Sequence, residues 1–331
     1  MKNTALFLCA ALLLSACRKD GTTPTTKATD PAKPTAETVP LAKPSEPVKE
    51  FHTSLYPARV KGKYGFIDRT GAMVLEPKYK RALEFSEGLA AVADENDRWG
   101  FIDEKGNVAI KIQYNLAFPF GEGLASVRIG DKFGAINRSG ELVIAPKFSG
   151  ISQFSEGLAE TLFEQNVQNI HVRGWGFIKP DGKFVLPPDW DGVGPFGDGI
   201  APVRVMAQRW GYMNKQGKLV LPAVYESASR FSEGLAAAET GHEKGNGWGF
   251  IDKTGKFVIP NAYALARSFY EGLAAVQSKQ DKWGFIDKNA KLVIPFTYDD
   301  VGPFREGLAL AKLGAKERYI DKTGKTIWQE K

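Results

Sequence analysis

The chain has 331 residues, of which 43% are hydrophobic and 25% charged, with 44 lysines and arginines against 38 acids for a net charge of +6. That charge is too mild for a protein built to hold nucleic acid. Both cysteines, Cys9 and Cys17, lie at the very start, so the remainder has no disulfide and no thiolate metal site.

The first element is a leader over 1–16. Lys2 opens a short basic segment, and Ala5 to Leu14 is an apolar run too short to cross a bilayer as a helix. It ends in Leu14-Ser15-Ala16-Cys17, which resembles the lipobox of bacterial lipoproteins. The resemblance implies cleavage before Cys17, a diacylglyceryl group on its sulfur and a further acyl chain (palmitate being typical) on the freed amine. Two or more chains make a lasting tether where one holds only marginally. Arg18 rather than Asp at the next position implies, by the same analogy, an outer-membrane destination in the envelope of a Gram-negative bacterium. The alternative is an ordinary secretory signal with a chance Cys at the cut. Either way Lys2 is lost, and the mature charge is +5.

A stalk follows over 17–50. Pro24, Pro31, Pro34, Pro40, Pro44 and Pro47 stand among Thr, Ala, Lys and Glu, with almost nothing large and apolar. Such a stretch buries too little to fold and is biased to extended polyproline II, reaching about 100 Å at about 3.1 Å per residue. No P-x-x-P array with basic flanks marks it as a docking motif.

The rest, 51–331, repeats itself. A Gly preceded by an aromatic residue recurs at Gly65, Gly100, Gly134, Gly176, Gly211, Gly249 and Gly284. Each is followed 23 residues later by a Gly preceded by an acid, at Gly88, Gly123, Gly157, Gly199, Gly234, Gly272 and Gly307. A period of about 35 residues is the mark of a repeat architecture. Residues present in every copy serve folding, since every copy must fold, whereas catalysis needs its residues once.

One unit reads as three strands. Leu235-Ala236-Ala237-Ala238 is a short apolar run, and Trp248-Gly249-Phe250-Ile251-Asp252 alternates across a sheet. Asp252-Lys253-Thr254-Gly255 is a turn, in which the Asp oxygen accepts a backbone N–H and Gly255 takes positive φ. Lys256-Phe257-Val258-Ile259 follows, apolar at consecutive positions as if covered on both faces, and Pro260 stops it. The Gly opposite the indole leaves a place for a neighbouring unit's aromatic. Counted by the L-A-A-V run there are eight units. The expected fold is all-β: three-stranded antiparallel meanders stacked as an open, twisted array, with a closed propeller-like ring as the alternative. Propeller blades have four strands and about 40 to 45 residues, and no unit here is split between the two chain ends.

These residues resemble the WG-repeat family of bacterial proteins, through W-G-F-I-D, the D-x-x-G turn and F-x-E-G-L-A. The resemblance covers 51–331 and implies a β-rich array, often in envelope-associated proteins, with no established enzymatic activity. Some copies drift: Tyr64 and Phe133 replace the Trp, Lys179 and Asn214 the turn Asp, Ala290 the turn Gly, and Arg318 the Gly of the last copy.

No catalytic constellation is present. His52, His171 and His242 form no H-E-x-x-H or paired spacing, and neither G-x-S-x-G nor a phosphate-cradling loop occurs. The recurring acids Glu87, Glu122, Glu156, Asp198, Glu233, Glu271 and Glu306 have two readings: a side chain bonding turn backbone within each copy, or a ladder for Ca²⁺. The first is preferred, and no metal or cofactor is expected. Lys63, Arg98, Lys132, Arg209 and Lys282 precede the aromatic and form a possible stripe for a polyanion such as lipopolysaccharide, or a guard against edge pairing. Length varies at one hairpin tip, longest at Glu160 to Gly174 and Glu239 to Gly247, and insertions at one tip crowd one face. Phe163, His171, Arg173 and His242 on those tips, with Trp190 in place of the usual Tyr or Phe, are the candidate partner contacts. Thr161 to Val172 reads as removable without loss of the fold. The expected function is a non-catalytic, membrane-tethered envelope module that binds an envelope protein. The alternative is a glycan or lipopolysaccharide binder, with nucleic acid excluded.

Overall fold

The computed structural model describes residues 54–167, 170–205, 209–241 and 247–331, with the backbone alone over 165–167 and 170–172. The leader, Cys17 and the stalk lie outside the described residues. The repeats form eight antiparallel sheets in chain order. Sheet 1 comprises Tyr56–Val60, Lys63–Ile67 and Met73–Tyr79, and sheets 2 to 8 have four strands each. Sheet 3 is typical, with an inner strand Leu116–Ala117, then Leu124–Ile129, Lys132–Asn137 and an outer strand Leu142–Phe148.

The expected three strands are therefore four. The missed one is the inner strand, formed by the segment before F-x-E-G. It pairs through only two residues, Leu116 with Arg128 and Ala117 with Val127, and then through a lone bridge between Gly121 and Leu124. Two residues are too few to show a period.

The array is also not open. The eight sheets close into a propeller ring. Tyr56, Ala58 and Ile67 of sheet 1 share one buried cluster with Leu308 and Tyr319 of sheet 8. The Tyr319 hydroxyl donates to Pro57 O at 2.9 Å, and the Tyr56 hydroxyl to Glu306 O at 2.8 Å. A Cβ on Gly71 of sheet 1 would lie 2.6 Å from Ile327 O of sheet 8. Closure is made by side chains between the three described strands of sheet 1 and the four of sheet 8, and neither sheet borrows a described strand from the other end of the chain.

The second and third strands are buried on both faces, as in Leu89–Ala93, where every residue is buried. Each alternate set faces a different neighbouring sheet. Between sheets, a Phe of the third strand meets the Phe of the next inner segment: Phe101 with Phe120 at 4.9 Å, Phe250 with Phe269 at 4.8 Å and Phe285 with Phe304 at 4.8 Å. Each fully buried Phe contributes about 1.5–3 kcal/mol. The outer strand, expected to be covered on both faces, is not: Val258 and Leu292 are 47% and 43% exposed.

The Gly of W-G has a different purpose from the one expected. In sheet 7, Trp283 stands opposite Tyr298 but Phe285 opposite Ile294, so the outer strand bulges. That bulge drives its backbone toward the Gly: a Cβ would lie 2.6 Å from Ile294 O at Gly284 and 2.6 Å from Ile259 O at Gly249. No neighbouring aromatic occupies the space. Pro260 does not stop its strand, which runs Phe257–Tyr263, because a bulged edge strand has no use for the missing N–H. Sheet 8 pairs Arg318 with Gln329 and Tyr319 with Trp328 without a break, which is why Arg318 fits where the others need Gly. The turns follow expectation. Asp252 Oδ1 accepts from Thr254 N at 2.8 Å and Lys256 N at 3.2 Å, and Gly255 has φ +81°. Ala290 takes the same left-handed conformation, with φ +62°.

Candidate binding site

One face of the ring is taken up by the joints between sheets. The recurring acids stand there in the left-handed conformation, with φ between +48° and +56°. This costs a non-glycine residue energy and persists only where contacts repay it. Each of the first six carboxylates accepts the N–H of the Gly one sheet on, as Glu87 from Gly123 at 3.1 Å, Glu122 from Gly157 at 2.8 Å and Glu271 from Gly307 at 3.0 Å. A turn lysine of that next sheet donates to the acid's own carbonyl, as Lys215 to Glu156 O at 2.7 Å and Lys288 to Glu233 O at 3.0 Å. The acids do bond backbone, as preferred, but across the joint and not within their own copy. They are clips, and their oxygens are occupied.

The opposite face carries the hairpin tips and the links from each outer strand to the next sheet. The cation stripe is broken there by acids. Lys63 pairs with Glu95, Arg209 with Glu226 at 3.2 Å, and Lys282 with Asp299 at 2.5 Å. Lys132 bonds the Ser149 hydroxyl at 3.2 Å, and Arg98 reaches Gln113 O at 3.5 Å. Three of the five cations are therefore paired with an acid, while Lys132 and Arg98 bond neutral oxygens and keep their charge.

The long tip of sheet 4 is a paired ribbon. Its strands, Ala159–Val167 and Ile170–Ile178, stay in register out to Val167 opposite Ile170. In sheet 3 pairing ends at Ile129 opposite Lys132, which corresponds to Phe163 opposite Gly174. Everything beyond that pair is an arm. The cut expected to be harmless starts too early. Thr161 is fully buried and donates to Gly150 O at 2.8 Å, and Leu162 stands opposite Trp175. Only Glu164 to Arg173 lie past the body of the sheet.

Of the predicted contacts, Arg173 is exposed at the base of the arm. Phe163 is half-buried, its ring 5.9 Å from that of Phe184, so it anchors the arm and is not free to meet a partner. His171 stands opposite Asn166 in the ribbon, with its side chain outside the described atoms. His242 lies outside the described residues. Trp190 stands opposite Trp175 and is half-buried, its indole N–H enclosed without an acceptor. The structure thus brings Phe163, Arg173 and Trp190 to one sheet. Gly174 and Gly247 replace the cation for a packing reason: a Cβ would lie 1.8 Å from Pro188 O and 2.7 Å from Tyr263 O.

The wall of the ring's centre holds groups that sequence reasoning missed. Inner segments from different sheets converge there, and Arg305 of sheet 8 meets Glu84 of sheet 2 at 2.9 Å, across sheet 1. Burial pushes the Glu84 carboxyl up, against the pull of Arg305. Glu160 is 6% exposed and hydrogen-bonded with the Ser152 hydroxyl. Burial pushes its carboxyl up, while Ser152 and the charge of Arg230 draw it down. The available signal was positional: Glu160 stands where other copies have Ala91, Ser126, Pro202, Ala237, Ala275 and Leu310.

The model of the WG containing repeat matches seven stretches, 64–96, 99–133, 133–161, 175–205, 210–241, 248–283 and 283–316. A search of curated proteins gave no match. Among solved structures, a eukaryotic initiation factor is similar at 10% identity, with 87% of this chain and 90% of that one covered and a TM-score of 0.51. Apo AztD from Citrobacter koseri (10% identity, 82% and 92% covered, TM-score 0.45) and BamB from Moraxella catarrhalis (8%, 86% and 95%, 0.46) are also similar. Likeness at such identity concerns the fold alone. The motifs, the seven matched stretches and the eight sheets agree: this chain belongs to the family built from WG containing repeats.

Proposed function

We propose that the protein is a non-catalytic binding module of a bacterial cell envelope, tethered through lipid on Cys17 and lifted from the membrane by the stalk over 18–50. Its partner is an envelope protein, held on the tip face around the arm of sheet 4. The observation that carries this reading is the ribbon itself. The hairpin stays paired to Val167 and Ile170, four residue pairs past the point where an ordinary tip ends. Protruding backbone with open strand edges suits a protein partner, which adds hydrogen bonds along such an edge. The paired state of Lys63, Arg209 and Lys282 weighs against a polyanion partner.

The test places a photo-crosslinker at Arg173 in the tethered, full-length protein and asks for a discrete adduct in its own envelope. Replacing Glu164 to Arg173 by a two-residue Asn-Gly turn should leave melting unchanged and abolish the partner's capture. Unchanged capture by the shortened protein would move the site off the arm. The tether is tested separately. Cys17→Ser should release the protein into the soluble envelope fraction, and retention in the membrane pellet would count against lipidation. No helix among the described residues is long and apolar enough to cross a membrane.

A further inference from the structure

The arm of sheet 4 has two unlike sides. Residues opposite each other in a ribbon share a side, and successive pairs alternate between sides. Gln165 stands opposite Val172 and Val167 opposite Ile170, on the same side as Phe163. Between them Glu164 stands opposite Arg173 and Asn166 opposite His171, on the other side. The first side holds no charged residue, and the second holds no apolar one past the foot of the arm. The first side is also that of Ala159 and Ile178, which are buried in one cluster with Ile144 and Phe148 of sheet 3. The uncharged side therefore looks toward sheet 3. At its foot Phe184, 39% exposed, rests on Phe163 at 5.9 Å and on Phe148 at 5.8 Å. The tip of sheet 3 ends at the pair equivalent to Phe163 and Gly174, so the arm overreaches it by four pairs. Both edges of the arm are open among the described residues. The inner strand Gly150–Ile151 pairs no further than Leu162, and the outer strand no further than Trp175.

We propose that the sheet 3 side of the arm is the contact side, and that its occupant is an extended segment of the partner protein with apolar residues at alternate positions. This rests on the reading of the arm as the partner's site and says which side of it is used. A two-stranded ribbon is marginal in water, and a third strand along an open edge completes it. That strand continues the line of Gly150–Ile151 past Leu162, and its apolar residues lie with Val167, Ile170 and Val172 over Phe184. A lipid surface would also cover an apolar side. It offers nothing, however, to the N–H and C=O groups of the two open edges, which are costly to leave unpaired in hydrocarbon. A protein strand satisfies one edge and covers the side at once. The charged side then stays in water.

The experiment sets the same charge on the two sides at neighbouring positions. In the tethered full-length protein, with the photo-crosslinker at Arg173, the yield of the adduct is compared for Val167→Asp and Asn166→Asp. Val167→Asp should lower it by about tenfold or more, and Asn166→Asp should leave it within about twofold of wild type. Val167→Thr, which keeps the branched shape without charge, should retain part of it. All three should melt with the wild type, since both positions lie past the body of the sheet. Equal losses from the two Asp variants, or a larger loss from Asn166→Asp, would overturn the choice of side while leaving the arm as the site. No adduct in wild type would overturn both. The full chain carrying Cys17→Ser is also mixed with vesicles of phosphatidylethanolamine and phosphatidylglycerol and sedimented alone. Vesicle binding that Val167→Asp abolishes would assign the side to lipid, and a dimer that it dissolves would assign it to a second copy. Either result would overturn the proposal.

Discussion

The joint between sheets 6 and 7 and the joint between sheets 8 and 1 perform one task with different parts. At the first, Phe250 meets Phe269 at 4.8 Å, Glu233 accepts the Gly272 N–H at 3.2 Å, and the Ser232 hydroxyl donates to Phe269 O at 2.7 Å. At the second, Tyr319 meets Tyr56 at 5.3 Å. Glu306 takes the Ser54 hydroxyl where the others take a Gly N–H, and Arg69, at 3.6 Å, stands for the lysine. The Tyr319 hydroxyl also answers a need that arises only here. In sheet 3 the carbonyl equivalent to that of Pro57, Ser126 O, accepts the inner-segment N–H of Phe118 at 3.0 Å. Among the described residues of sheet 1 no inner strand supplies that donor, and the neighbouring tyrosine does. Closure therefore requires the same contacts to be met, not the same residues to meet them.

The sharpest way to break this equivalence is to remove one ring from each kind of joint. Phe285→Ala and Tyr319→Ala should each cost about 3–5 kcal/mol in urea unfolding. A near-zero cost for Tyr319→Ala beside a full cost for Phe285→Ala would mean that the eighth joint is open in solution. A second contrast lies in the outer strands. Gly249→Ala drives a Cβ against Ile259 O and should cost about 1–3 kcal/mol, whereas Arg318→Gly, in the sheet without the two-residue bulge, should cost below about 1 kcal/mol. Tyr319→Phe removes only the hydroxyl and should cost about 1 kcal/mol, read as a shift of the urea midpoint at constant slope.

The smallest effect concerns acid. Burial pulls the Glu271 carboxyl up, but the hydrogen bonds from Lys322 and the Gly307 N–H, with the lysine's charge, hold it below its ordinary value of 4.5. A carboxyl depressed in the folded state gives stability that is whole above its ordinary value and is lost as pH falls through the folded one. Glu271→Gln should therefore lower the melting temperature slightly at pH 7 and flatten its decline below about pH 4.5. A variant with the wild-type slope in acid would show that this clip does not carry the acid sensitivity of the joint.

Strands with a long pattern were legible. Trp248 to Asp252 alternates, Asp252 to Gly255 turns, and both stand as read. Most inner strands were not, because Leu116–Ala117, Gly150–Ile151 and Ser227–Ala228 are pairs of small or mixed residues with no period to detect, and the two longer ones, Arg81–Ser86 and Leu265–Tyr270, pair across a register break. The recurrence of the acids was visible in the sequence, but their partners lie about one repeat away, so a local reading assigned them to their own turns. Closure was hidden for a related reason. Tyr56 and Tyr319 look like drift from Ala and Phe until they are seen to meet. At the tips, the boundary between sheet and arm depends on Thr161 being buried beneath Gly150, which loop length does not reveal.

The clips all run one way, from the acid of one sheet to the Gly and lysine of the next. Each complete unit therefore carries an acceptor on its leading side and donors on its trailing side. A duplicated unit of about 35 residues brings both halves of a new joint with it, and a deleted one leaves two matching ends behind. Only the units holding Tyr56 and Tyr319 are specialised, since each completes the other. A copy is accordingly added or removed with least disturbance in the interior of the chain, where both neighbours carry the standard parts of a joint. The number of copies is then limited by the wedge angle that a closed ring permits and not by the chemistry of the joints.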